Sequence, residues 1–284
     1  DKNKSLESAY KNIEEKNTEI LDSIRYAKRI QEAILPPQKL VKEYLEDSFI
    51  LYKPKDIVAG DFYWISPSPT LPKGEGESNA QAEGGMSRTE GREGENINTQ
   101  EGSIAHGKLP PSRGGGASPL PLGGAGGGLL FACCDCTGHG VPGAFMSILG
   151  YNGLNRCVKE FGLTQPAAIL DKLCELVDEA FSKSESDIKD GMDIALCCYD
   201  YKKNTIEYSG AGNSLYLIRN GKLTEYPADK QPIGKFYNRK PFTNHTISLP
   251  PSGGGGAVYI FTDGYADQFG GPKVYVGPLQ FPWS

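Results

Sequence analysis

Three aspartates stand where chemistry is possible. Asp61 closes Val58-Ala59-Gly60-Asp61, Asp135 opens Asp135-Cys136-Thr137-Gly138-His139-Gly140, and Asp263 lies in Phe261-Thr262-Asp263-Gly264. Each borders a short apolar run that reads as a strand: Asp61 stands just before residues 62–65, Asp135 just after 129–134 and Asp263 shortly after 257–261. Carboxylates at strand ends can converge from distant parts of a chain. Several aspartates meeting without matching Lys or Arg repel one another unless a divalent cation sits between them, and hard cations such as Mg²⁺ and Mn²⁺ prefer such all-oxygen sites. A single Asp in a turn is ordinarily a cap; the argument rests on the three together.

Other residues compete for a role. His139 has the chemistry of a general acid, but in a turn a ring that packs or bonds locally is the commoner use. Gly138 and Gly140 suit the turn into a helix at Val141-Pro142-Gly143 better than a nucleotide loop, because no G-x-x-x-x-G-K follows. Asp193, with Asp190 nearby, is either an accessory carboxylate at the same site or a turn residue before a strand. The seven cysteines are Cys133, Cys134, Cys136, Cys157, Cys174, Cys197 and Cys198. They are odd in number and lie mostly in apolar runs, as reduced, buried thiols of a cytosolic protein do. Zinc on Cys133, Cys134 and Cys136 is disfavoured, because adjacent strand residues point to opposite faces and no C-x-x-C pair occurs.

The elements that must position these residues follow from periodicity. Residues 1–35 read as a helix with no breaker before Pro36-Pro37. Leu6, Tyr10, Ile13, Asn17, Ile20, Ile24, Ala27, Gln31 and Ile34 recur in steps of four and three, a heptad seam with Asn17 at an a-type position. The first half is expected to pair in parallel with a second copy, giving a homodimer through residues 6–34; the second half, residues 23–35, is a candidate for packing on its own domain. Residues 143–161 and 165–181 read as amphipathic helices. Residues 194–201, 205–209, 215–219 and 222–226 read as strands, the last two joined by an Asn220-Gly221 hairpin. Residues 243–249 and 257–261 are expected to pair across Pro250-Pro251-Ser252 and four glycines. The sum is an α+β sandwich.

Residues 66–128 hold 16 Gly, 7 Pro, six Leu or Ile and no aromatic residue. Such a stretch cannot bury enough surface to offset the entropy of ordering, so it is expected to be a disordered insert. Emerging between strands 62–65 and 129–134, it should leave the fold about 15 Å from the carboxylates and spare them. Net charge is −5 with no basic block, which argues against a nucleic-acid partner. No apolar run reaches the length of a membrane span and no signal peptide is present, so the expected location is cytoplasmic. The chain begins at Asp1, and is expected to be a segment of a longer protein.

Five pieces, in order, resemble the metal-dependent PPM protein phosphatases, in particular their SpoIIE-type bacterial branch. They are Val58-Ala59-Gly60-Asp61-Phe62-Tyr63, residues 135–143, Asp190-Gly191-Met192-Asp193, Ser209-Gly210-Ala211-Gly212-Asn213 and Thr262-Asp263-Gly264-Tyr265-Ala266-Asp267. The resemblance implies a four-layer α-β-β-α sandwich over residues 36–273, preceded by the N-terminal helix or coiled coil at 1–35 and followed by an atypical tail at 274–284. It implies two Mn²⁺ or Mg²⁺ ions, with Asp135 bridging them, the main-chain carbonyl of Cys136 on the first, Asp263 on the second, and Asp61 orienting water or ligating directly. Asp61, Asp135 and Asp263 are then the catalytic carboxylates, and Asp193 a further ligand. It implies hydrolysis of a phosphoprotein on serine or threonine in bacterial signalling, with an anti-sigma factor antagonist type of protein as partner. The family carries one more aspartate in a final strand; residues 274–284 hold no Asp or Glu, so the second cation is expected to have fewer carboxylates. A catalytically impaired, phosphatase-like dimeric binding module is the alternative.

Overall fold

The first 35 residues contain neither glycine nor proline, and in the computed structural model they form one helix, α1, Lys2–Ile34, of 33 residues. Pro36 and Pro37 end it, because a proline ring has no N–H to donate and clashes with the preceding turn. The structure describes residues 2–68, 104–108, 128–182, 190–249, 256–265, 269–270 and 274–275.

A short helix α2, Gln38–Tyr44, leads to strands β1, Ser48–Leu51, β2, Phe62–Pro67, β3, Ile104–Lys108, and β4, Gly128–Cys136. Helices α3, Gly140–Lys159, and α4, Pro166–Ser182, follow. Then come β5, Gly191–Asp200, β6, Thr205–Ala211, β7, Leu215–Arg219, β8, Lys222–Tyr226, β9, Ile233–Gly234, β10, His245–Ser248, and β11, Gly256–Phe261. A 3-10 turn at Asp263–Tyr265 and a two-stranded ribbon, β12, Phe269–Gly270, with β13, Val274–Tyr275, close the described chain.

The strands make two antiparallel sheets. One runs β1-β3-β11-β7-β8; the other runs β10-β6-β5-β4-β2, with β9 beside the start of β5. Alternation along the second sheet sorts its side chains onto two faces. Phe62, Trp64, Leu130, Ala132, Cys134, Ile194 and Leu196 pack against Leu154, Val158, Ile169, Leu170 and Leu173 of α3 and α4. Cys133, Ala195, Cys197, Tyr199, Ile206, Tyr208 and Ile247 face Leu215, Leu217, Val258 and Ile260 of the first sheet. The protein is thus mixed α+β, with three layers among the described residues: helix pair, sheet, sheet. A helical layer outside the first sheet has no counterpart there.

The heptad stripe on α1 has two fates. Leu6, Tyr10, Ile13 and Ile20 are more than half exposed, whereas Ile24, Ala27 and Ile34 are half-buried and Gln31 is buried against the domain. The Asn220-Gly221 turn is as expected: both residues have positive φ, 51° and 74°, and Arg219 pairs with Lys222.

Two expectations are corrected. Strands β10 and β11 do not pair with each other; β10 joins β6 in one sheet and β11 joins β7 and β3 in the other. Both apolar runs are satisfied because each lies in the inter-sheet core, Ile247 from one side and Val258 and Ile260 from the other. The second correction concerns the segment read as wholly disordered. Its residues 104–108 form β3, between β1 and β11, with Ile104 in register with Leu51 and with Phe261. Ladder bonds need only backbone N–H and C=O groups, so five residues can join a sheet whatever the mean composition around them. The segment therefore comes back to the end of the first sheet that carries Asp263. The remainder of that expectation, residues 69–103 and 109–127, lies outside the described residues.

Deleting residues 74–97 should leave thermal stability unchanged, while deleting 68–126, which removes β3 from the middle of its sheet, should lower the melting temperature by more than about 5 °C. Equal melting temperatures of the two deletions would show that β3 contributes nothing to the sheet.

Candidate metal centre

Cross-strand register explains why distant aspartates meet. Asp135 on β4 is the register partner of Asp193 on β5, and Phe62 pairs with Cys134, which places Asp61 beside Asp135. Residues opposite one another in a ladder share a face. Asp61, Asp135 and Asp193 therefore point to the same side, the side of Cys133 and Ala195, between the sheets. The first sheet supplies Asp263 two residues after Phe261, the last residue of β11.

The carboxylates are close enough to bind one another. Asp135 hydrogen-bonds with both Asp61 and Asp263, and burial, then the Asp61 charge, then the Asp263 charge push its pKa up to about 9. Asp61 is also raised, chiefly by burial, although a hydrogen bond from Thr262 opposes the shift; that hydroxyl donates to Asp61 Oδ2 over 2.8 Å. Asp193 is raised by burial and by the charge of Asp263. No cationic side chain contributes to any of these shifts, and like charges so placed can coexist only by holding a proton or a cation. The donor set, all oxygen and anionic, fits a hard divalent ion. Among the described residues no group of three or more His, Cys, Asp or Glu side chains is already arranged to hold a metal ion.

The loops that carry these groups are closely fitted. A side chain at Gly143 would place Cβ 2.6 Å from the Gly138 carbonyl oxygen, and one at Gly212, where φ is +72°, would run into the Asp193 carboxylate. Thr137 N–H donates to the Gly191 carbonyl over 2.8 Å, and Gly191 N–H donates to Thr137 Oγ1 over 3.2 Å, which ties the end of β4 to the start of β5. The Tyr52 hydroxyl donates to the Asp61 carbonyl over 3.2 Å.

Other candidates fall elsewhere. His139 is 85% exposed and its Nδ1 lies 2.8 Å from Asp56 Oδ2, a surface pair at the N-terminus of α3. Cys133 belongs to the inter-sheet core while Cys134 and Cys136 pack toward the helices, so the three thiols do not face one site. Burial pushes Cys136 well above the usual thiol range. Asp267 lies outside the described residues.

Three contributors were not singled out by sequence. Thr262 and Tyr52 gave no signal beyond lying near an aspartate. Gln31 did: it is the second polar residue on the α1 stripe. It is 3% exposed, and its amide spans two elements. Nε2 donates to the Ala59 carbonyl over 2.6 Å and to Ser147 Oγ over 2.7 Å, and Oε1 accepts from Ala59 N–H over 2.9 Å. The helix thereby holds the backbone two residues before Asp61.

A family model for Stage II sporulation protein E (SpoIIE) matches residues 125–274, more than half of the chain. No curated protein matches. Among solved structures, the SiaA-PP2C domain of Pseudomonas aeruginosa is similar with a TM-score of 0.61 and 26% identity, over 92% of this chain and 78% of that one. The RsbU and RsbW domains of a Mycobacterium tuberculosis protein give 0.40 and 20%, over 52% and 38%. The PP2C domain with a regulatory fragment of SpoIIE from Bacillus subtilis gives 0.43 and 11%, over 72% and 41%. The first of these is close enough to support the fold; the other two carry no argument.

The raised carboxylates set a pH dependence. Folded, Asp135 holds its proton up to about pH 9, far above the ordinary carboxylate range. The cation-free native state therefore holds more protons than the unfolded chain between that range and the folded value. Its stability is full below the ordinary carboxylate range and is lost as pH rises through the folded pKa. Melting temperature in EDTA should fall from pH 5 to pH 9, and Asp135→Asn should flatten that fall. An unchanged slope in the variant would place the titration elsewhere.

Proposed function

The chain belongs to the SpoIIE family, and on that premise we propose that it is a metal-dependent protein serine/threonine phosphatase of PPM type, acting in bacterial signal transduction. The observation that supports this reading is the row Asp61, Asp135 and Asp193 on one sheet, faced by Asp263 from the other, with no protein cation among the groups that perturb them. Two Mn²⁺ or Mg²⁺ ions would be held by Asp61, Asp135, Asp263 and the Cys136 carbonyl, with Asp193 as a further ligand. When bound, such ions supply a water acidified to near neutrality and a positive field for an in-line displacement at phosphorus.

The chain's own residues do the positioning. Asp135, which shares its proton with Asp61 and Asp263, would hold the ions as a carboxylate once that proton is lost. Thr262 fixes one oxygen of Asp61, and Gln31 and Tyr52 fix the backbone on either side of it. A covalent route through a thiol is unfavourable, because burial and the neighbouring aspartates push Cys133 and Cys136 up and out of the thiolate range. The substrate is a phosphorylated protein, of the anti-sigma factor antagonist type by family analogy.

The exposed half of the α1 stripe supports a homodimer. Leu6, Tyr10, Ile13 and Ile20, 55–65% exposed, would find a partner in the same stripe of a second copy, with Asn17 setting the register. Buried free thiols agree with a cytoplasmic location, and no helix among the described residues is long and apolar enough to cross a membrane.

Asp135→Asn should lower Mn²⁺-dependent hydrolysis of p-nitrophenyl phosphate more than about a hundredfold, since even partners one step removed from a metal cost ten- to a hundredfold. Calorimetry should show weakened Mn²⁺ binding, and circular dichroism an intact fold. Mn²⁺ binding equal to the wild type would remove Asp135 from the site.

Asn17→Leu should raise the melting temperature of the dimer and loosen its choice of oligomer. Light scattering decides this. A wild-type chain that is monomeric at tens of micromolar would defeat the coiled-coil reading.

A further inference from the structure

Strand β9 runs antiparallel to β5, with Ile233 opposite Met192 and Gly234 opposite Gly191. β5 runs away from the carboxylates, so the chain leaving Gly234 runs past the end of the sheet where they lie. Gly191 is two residues from Asp193, about 7 Å along a strand. Residues 235–238 thus project from the same end of the molecule as Asp135 and Asp193.

This projection is built rather than loose. At its base the buried Gln231 side chain pairs with the backbone of Lys240: Nε2 donates to the Lys240 carbonyl over 2.7 Å and Oε1 accepts from Lys240 N–H over 3.1 Å. The Arg239 guanidinium donates to the Pro232 carbonyl over 3.0 Å and to the Gly234 carbonyl. Asn238 takes φ +60° to complete the turn. Held on this clamp, Phe236 is 42% and Tyr237 82% exposed. A rigid tip that presents two aromatic rings to water gains nothing for the fold, and rigid exposed aromatics are effective anchors for another protein. The charge of the tip sets the kind of partner. Residues 230–240 contain Lys230, Lys235, Arg239 and Lys240 and no Asp or Glu, next to a site made of carboxylates.

We propose that the 235–238 tip docks the phosphoprotein substrate, gripping an acidic and apolar stretch beside the phosphorylated residue with Phe236 and Tyr237. This rests on the phosphatase reading above. A phosphorylated segment approaching four aspartates meets repulsion until cations are bound, and a basic, aromatic tip on the rim offsets that repulsion while aligning the segment.

The test compares the whole chain with Phe236→Ser/Tyr237→Ser in Mn²⁺. Three compounds are used: p-nitrophenyl phosphate, a phosphoserine peptide flanked by Leu and Glu, and the same peptide with Lys for Glu. The expected result is a loss of kcat/KM on the Glu peptide at least about tenfold larger than on p-nitrophenyl phosphate, carried by KM. Phe236→Ser/Tyr237→Trp, which returns one ring to the tip, should recover most of it, and the wild type should prefer the Glu peptide to the Lys peptide. Equal losses on all three compounds, or no loss on the Glu peptide, would overturn the proposal. A wild-type chain that hydrolyses none of them would instead overturn the phosphatase reading. Fluorescence anisotropy of the labelled Glu peptide needs no turnover, and equal affinity of wild type and double variant there would sink the docking tip on its own.

Discussion

Repulsion between carboxylates is the constraint on which the arrangement depends. Asp135 is held within hydrogen-bonding reach of both Asp61 and Asp263, and burial and like charge raise it to about 9. At neutral pH that grouping costs free energy in a chain without a cation. It persists only because the rest of the fold over-determines it. β2, β4 and β5 are locked in register by ladders that run their full length, and Cys134, Cys136, Met192 and Ile194, next to the aspartates in sequence, are anchored in the helix-facing core. Moving one carboxylate away would shift a strand by one residue and turn that strand's apolar face to the wrong side. The core thus stores the strain of the site.

The same logic gives the N-terminal helix its second role. Along α1 the apolar stripe passes from water to domain within about four turns, and Gln31 stands where it reaches the loop of Asp61. Its three hydrogen bonds are each worth about 1 kcal/mol net, and a partner left buried without its bond costs about 1–3 kcal/mol. A helix turns about 100° per residue, so a small rotation of α1 would withdraw the amide from Ala59 and Ser147 together. The helix that carries the exposed seam is therefore mechanically continuous with the backbone that presents Asp61.

Much of this was legible in the sequence because the chain is locally consistent. The three strand-end aspartates, the two amphipathic helices, the Asn220-Gly221 hairpin and the helix stop at Pro36-Pro37 all follow from period, turn chemistry and missing donors. What the sequence hid was pairing. Residues 243–249 and 257–261 have the pattern of two strands but say nothing of which sheets they enter, and both sheets offered an apolar face. Residues 104–108 were masked by their neighbours: composition averaged over 66–128 is that of a disordered chain, while strand formation at β3 depends on five backbone units and on two strands, β1 and β11, that each lack a partner on that side.

The site was legible in its charges and not in its supports. Aspartates announce themselves because clustered acids demand a reason. Thr262 and Tyr52 act through one hydrogen bond each and Gln31 through three, all to groups outside their own elements, and such bonds leave no periodic trace. Gln31 left a weak one, a polar residue on an apolar stripe, and its meaning depends on what faces it. On an exposed turn of α1, as at Asn17, water can satisfy a polar residue; on a buried turn it must find its bonds within the fold, because an unpaired amide in the core is expensive. That Gln31 finds them on Ala59 and Ser147 fixes the entry of α1 into the domain, and with it the direction in which the exposed seam leaves.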